Sequence, residues 1–218
     1  SGVFYVGYGT HVVRQWCNLD YNEAEGWTLL MKTGIGDEFA YSSPYWTTTR
    51  TLNADDLSLD PGPAKYETFN TMDITSLIVK WIPPTIGQEP FYWHISGYGV
   101  RTALELFSTP LTITEAPLDD GNWRSDYFSH QDGAQLFSFA HETASTKVRL
   151  GYSWNNEADW NSDDAVGGIG IGGLVEWSAG DYFSCCGTQA PNGNRQMRAE
   201  IYGHYDFVDS GEPGSMDN

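Results

Sequence analysis

The chain has 218 residues, room for one large or two small domains, and its 40% hydrophobic and 15% aromatic content builds a core and excludes a disordered polymer. A formal charge of −18 repels phosphate backbones and anionic bilayers, so nucleic acid and membrane surfaces are not its expected partners, whereas divalent cations are drawn to it. Its 24 glycines and 10 prolines interrupt the chain too often for long helices and favour short strands joined by loops.

No window reaches the apolar length of a membrane span, and Ser1 is not followed by a basic-then-apolar leader, so a secreted protein is expected here in its mature or excised form. No Asn-x-Ser/Thr acceptor occurs. The three cysteines, Cys17, Cys185 and Cys186, have no zinc spacing. They allow one internal bridge with a thiol left over, or a bond to another chain, which suits an oxidising compartment.

In chain order, "VFYVG" and "HVVRQWCNL" alternate and predict a hairpin closed near Tyr8-Gly9. "GWTLLMK" (26–32) predicts a strand buried on both faces. The polar and aromatic stretch after it has no period and reads as loops with short strands. "PGPAKYETFNTM" predicts a short helix, "DITSLIVKWI" a central strand stopped by Pro83-Pro84, and "RTALELFS" a second short helix ending before Pro110. Residues 116–135 read as loop, and "KVRLGYSW" (147–154) and "RQMRAEIYGHYDF" (195–207) as strands. The tail 208–218 lacks core-forming residues. The sum is an α+β domain over 1–207, with a twisted antiparallel sheet, few short helices and long loops.

"NNEADWNSDDAVGGIGIGG" (155–173) is the stretch most suggestive of function. Gly168, Gly170 and Gly173 fit a dinucleotide-type glycine spacing, but no helix opens after them and no basic residue stands nearby, so a phosphate loop is rejected. Asn155, Glu157, Asp159, Asn161 and Asp163 place side-chain oxygens at every second position, which suits a hard cation such as calcium. An EF-hand is excluded, because Trp160 and Val166 fall where its glycine and bidentate glutamate belong. The bland alternative is a solvated acidic turn. The acidic doublets do not place two carboxylates across a cleft, no Gly-x-Ser-x-Gly elbow is present, and the five histidines are scattered. Nothing positive argues for an enzyme.

The opening "SGVFYV…VVRQWCNLDYNEAEGWTLLMK" resembles the fibrinogen C-terminal domain family, which includes ficolins and intelectins. Gly2, Val3, Cys17, Gly26, Trp27 and Thr28 match its early strands, while Asn18, Leu19 and Glu25 depart from them. More loosely, "YFSCCGTQAPNG" aligns Cys186, Asn192 and Gly193 with a late motif of the family, and this brings Asp163 and Asp164 beside its calcium loop. Gly187 replaces a histidine of the ficolin acetyl-sugar pocket, and Gly173 falls where a late-disulfide cysteine belongs. The resemblance implies a fibrinogen C-terminal-like domain that is secreted, non-enzymatic and calcium-stabilised, and that binds glycans or cell-surface polysaccharide as part of an oligomer. It also implies that Cys17, on a strand tied by a disulfide in the family, is oxidised.

On this reading Glu157, Asp159, Asn161, Asp163 and Asp164 hold calcium. Trp160, Glu176, Trp177, Tyr182 and Phe183 form the ligand-binding face, its rings stacking on a pyranose. The rival is structural: a self-assembling subunit of an extracellular filament, sheath, or viral or cell-surface fibre.

Overall fold

The computed structural model describes residues 1–21, 26–85, 87–113, 136–154, 165–184 and 193–205. Strands β1 (Gly2–Tyr8) and β2 (His11–Asn18) form the expected hairpin, and β3 (Trp27–Lys32) follows. A single helical turn at Pro44–Trp46, β4 (Ala64–Lys65) and helix α1 (Glu67–Thr71) lead to β5 (Asp73–Ile74), β6 (Ser76–Ile82) and β7 (Phe91–Ile95). Next come β8 (Arg101–Thr102), helix α2 (Ala103–Ser108) and β9 (Leu111–Ile113). The remainder is β10 (Leu136–Glu142), β11 (Thr146–Trp154), β12 (Ala165–Gly173), β13 (Trp177–Phe183), β14 (Arg195–Gln196) and β15 (Arg198–His204).

The α+β expectation is overturned. With 52% strand against 9% helix among the described residues, in three antiparallel sheets, the protein is β-rich. The physical reason is that β12, built from Gly and Ile, and β13, "WSAGDYF", pair as strands although their composition carries little strand signal. The helices fill one flank instead of forming a layer.

The first large sheet has the order β1-β2-β3-β15-β6-β7 with β4 on β3; the second runs β14-β13-β12-β11-β10-β9; β5 and β8 pair separately. The two large sheets share one core. Leu30, Val79, Trp81, Trp93 and Ile201 from the first meet Phe139, Leu150, Tyr152, Ile169 and Ala179 from the second, with Trp46, Phe69 and Phe107 between them. The arrangement is a sandwich of two packed layers. The chain passes between the layers at Met197, fully buried, so the single strand expected over 195–207 is split into β14 in one sheet and β15 in the other.

The first sheet is covered on its other face too. Trp27, Leu29, Ile78 and Tyr202 form a second cluster with Ala64 and Tyr66. Every residue of β3 is therefore buried, including Lys32. Its amine survives there because Nζ donates to Asp56 Oδ2 at 2.7 Å, the Ser58 carbonyl at 2.9 Å and the Asp60 carbonyl at 3.2 Å.

A crease crosses the second sheet. Phe139 pairs with Leu150, Leu150 with Ile169 and Ile169 with Ala179, but the regular pairing skips Ala140, Arg149, Gly170 and Ser178. Ala140 (φ 45°) and Gly170 (φ 67°) take left-handed backbone there. The register is unchanged across the crease, yet Ile169 packs in the core between the sheets and Ile171 in a separate cluster, so strict alternation is lost there. The crease holds segment 36–41 in place. Arg149 Nε donates to the Tyr41 carbonyl at 2.8 Å, Phe39 N to Ser178 Oγ at 3.0 Å, and Tyr41 N to the Ile171 carbonyl at 3.1 Å. At Gly170 an added Cβ would stand 2.6 Å from Arg149 Cγ, so the glycine gives the guanidinium arm its path.

Candidate functional site

Three places merit examination: the outer face of the second sheet, the covered face of the first, and a cleft beside the first hairpin.

On the second sheet, Gly151, Gly168 and Gly180 stand directly opposite one another on three adjacent strands. A Cβ on any of them would lie 2.1 to 2.4 Å from a carbonyl oxygen of the next strand. Only glycine fits. The glycine ladder noted in the sequence is thus the means by which β11, β12 and β13 approach closely. Val148, Val166 and Ile171 form a small cluster on the outer face, and Val175, Trp177 and Tyr182 lie partly buried against it.

Trp177 and Tyr182 have opposite strand parity, yet their rings meet edge to face with centroids 5.8 Å apart. The crease at Ser178 puts both on one face. Glu176 is exposed in the turn beside them, and one of its carboxylate oxygens accepts from Gly173 N at 3.2 Å. Phe183 is separated from this group: it packs on the main core between the sheets. The structure thus brings Glu176, Trp177 and Tyr182 together and places Phe183 elsewhere.

Glu157, Asp159, Trp160, Asn161, Asp163 and Asp164 lie outside the described residues, as do Cys185, Cys186 and the tail 206–218. What is described is the base of the 155–164 segment. Trp154 pairs with Ala165, and Ala165 with Phe183, so the two strand ends that flank the segment stand in register with Phe183, one pair beyond Val166–Tyr182. Among the described residues no group of three or more His, Cys, Asp or Glu could hold a metal ion. Cys17 is buried and unbridged, its thiol pushed up by burial, against which a hydrogen bond with Thr28 acts.

The covered face of the first sheet carries a row of charge. Lys32 and Lys80 both pair in register with Glu200, and Tyr92 pairs with Lys80. Glu200 Oε2 accepts from Lys80 Nζ at 3.1 Å and from the Tyr202 hydroxyl at 2.7 Å. Burial raises the Tyr202 phenol, and the Glu200 carboxylate raises it further. Asp56 is held down at about 2, chiefly by its bond with Lys32. This is a satisfied structural network under the 52–60 segment, whose Asp56 carbonyl also accepts from the Tyr66 hydroxyl at 2.5 Å.

The cleft is the third place. Among the described residues the first hairpin pairs with β3 only through Cys17 and Asn18, and its tip leans towards α1. There Tyr8 Oη and Thr71 Oγ1 share a hydrogen bond of 2.9 Å. The cavity so enclosed measures about 470 Å³. Its lining comes from the hairpin tip (Tyr8, His11), the start of β3 (Gly26, Thr28), Met72 and Asp73, and the end of β15 (His204, Tyr205). Sequence reading missed it, because it joins segments nearly 200 residues apart whose histidines have no motif spacing.

Comparison of the chain with protein-family models and with curated proteins finds no match. No helix among the described residues is long and apolar enough to cross a membrane, in line with the expectation of no membrane-spanning helix.

Proposed function

We propose that this chain is a non-enzymatic, secreted recognition module of lectin type, binding glycans on the outer face of its second sheet with calcium held by the 155–164 segment. The observation that carries the reading is the Trp177–Tyr182 ring pair, half-buried over the small aliphatic side chains of Val148, Val166 and Ile171, with Glu176 at its edge. A pyranose presents an apolar C–H face to such rings and hydroxyls to a neighbouring carboxylate. Support for calcium comes from the sequence, in the alternating oxygens of Glu157, Asp159, Asn161, Asp163 and Asp164, and from the resemblance to the fibrinogen C-terminal family. The strands flanking that segment end at the Trp154–Ala165 pair, next in register to Val166–Tyr182, which supports an ion near the same sugar.

A glycan array read in calcium and again in EDTA tests the proposal. Saturable binding to at least one polysaccharide, lost in EDTA, is expected; no binding in either buffer contradicts it.

A second reading, a self-assembling subunit of an extracellular filament or fibre, is favoured by one observation. Strand β1 is an uncharged edge with Phe4 46% and Tyr5 78% exposed, and Val12 beside it is 71% exposed. Bare apolar edges of this kind pair with other chains. Mass in solution separates the two: discrete monomers or closed rings accord with the lectin, concentration-dependent open polymers with the fibre.

A further inference from the structure

The cleft beside the first hairpin is a second site, independent of the sheet face just proposed, and its chemistry points to a different ligand. We infer that it binds a small organic cation: a molecule with one ammonium group on a compact apolar body.

Three observations converge. First, the volume of about 470 Å³ lies in the range of small-molecule sites and is too small for a folded partner. Second, the wall is aromatic. Tyr8 and His11 stack at 5.5 Å with their planes within 16°, and Tyr205 is a third aromatic residue of the lining. Ring faces attract cations through their quadrupole and add apolar contact for the body of the ligand, which Val6 and Met72 extend. Third, the charge is one-signed. Asp73 is the one carboxylate lining the cleft, and no lysine or arginine lines it among the described residues. A chain of net charge −18 adds a long-range field of the same sign. An anion is therefore disfavoured twice over, whereas a cation gains the attraction of Asp73 that a neutral ligand lacks.

His204 Nδ1 lies 3.0 Å from the Gly26 carbonyl, an acceptor only, so that nitrogen donates to it and the ring is fixed in orientation. The Tyr8–Thr71 pair offers hydroxyls at the inner wall to any alcohol group on the ligand.

The probe is choline, set against the neutral alcohol in which carbon replaces its nitrogen, and against glucose. NMR titration of the full chain at constant ionic strength reads the ring protons of His11 and His204 and the Met72 methyl. Choline is expected to shift all three saturably, with a dissociation constant near millimolar, and the neutral alcohol to bind about tenfold more weakly, as loss of a cation–ring and ion-pair contact implies. Asp73→Asn should weaken choline about tenfold. Because Asp73 is exposed, the melting temperature should stay unchanged, and His11→Leu, which removes one exposed ring, should weaken choline as well. Equal binding of choline and the neutral alcohol, shifts from glucose but not from choline, no saturable shift at these residues, or full affinity in Asp73→Asn would each overturn the inference.

Discussion

At Gly168 an added methyl carbon would sit 2.1 Å from the Leu150 carbonyl oxygen, with φ at 147°; at Gly9, φ 53°, it would meet nothing within 4 Å. The two positions separate a steric cost from a purely conformational one. Gly168→Ala must push β12 away from β11 in the middle of the sheet, and should lose about 4 kcal/mol of unfolding free energy. Gly9→Ala should lose about 1 kcal/mol, the cost of left-handed backbone for a residue with a Cβ. Urea denaturation of both variants checks this, and equal losses would contradict the close-approach account. The Lys32–Asp56 pair gives a pH signature at the same scale. Asp56 titrates at about 2 in the fold against an ordinary 3.8, so the fold favours its ionised form. That stabilisation is present above pH 4 and is lost as pH falls from about 4 to about 2. Because the Asp56 side chain is 41% exposed, solvent screening reduces its size to about 1 kcal/mol. The stability gap between the wild type and Asp56→Asn should therefore narrow below pH 4, and a gap constant down to pH 2 would refute the assignment.

Helix α2 shows how a short element is set by its ends. Thr102 Oγ1 accepts from Glu105 N at 3.2 Å while a Glu105 carboxylate oxygen accepts from Thr102 N at 2.9 Å, a complete capping box. Thr102→Ala should cost about 1 kcal/mol in a thermal or urea melt, and a neutral result would mean that packing of Leu106 and Phe107 alone holds the helix. This element was legible in the sequence, as were the first hairpin, β3 and β6, because their apolar spacing and their flanking turns or prolines agree. Strands β12 and β13 were not, since glycine reads as a turn signal unless the neighbouring strands are known to lack side chains at the same register. Only pairing reveals that Gly151, Gly168 and Gly180 face each other. The crease is equally invisible, for it depends on Ala140, Arg149, Gly170 and Ser178 meeting from four strands. Of the candidate site, Trp177 and Tyr182 were found by their aromatic character. That they share a face follows from the crease and not from their spacing, which would put them on opposite faces of a regular strand. Phe183, chosen on the same grounds, lies partly buried against the core between the sheets.

At the scale of the molecule, the sandwich divides its labour between faces. The central strands of the first sheet, β3, β15 and β6, are covered on both sides, by the core and by the 52–60 segment, and their charges neutralise one another there. The second sheet keeps an outer face where two large rings lie over small aliphatic side chains. Ligands and partners bind where apolar surface stays open, so the proposed glycan site falls on the second sheet and the proposed cation site in the gap left by the leaning hairpin. Such a sugar site is weak alone, and strength would come from several copies acting together.

The most direct test is retention of Trp177→Ala on the glycan that binds the wild type best, with solution mass and melting temperature measured on the same samples. Trp177 is only partly buried, so the account predicts a folded variant of unchanged mass whose retention falls about tenfold or more. Undiminished retention would contradict the glycan site. Loss of folding would do so too, by showing Trp177 to be a core residue of the sandwich.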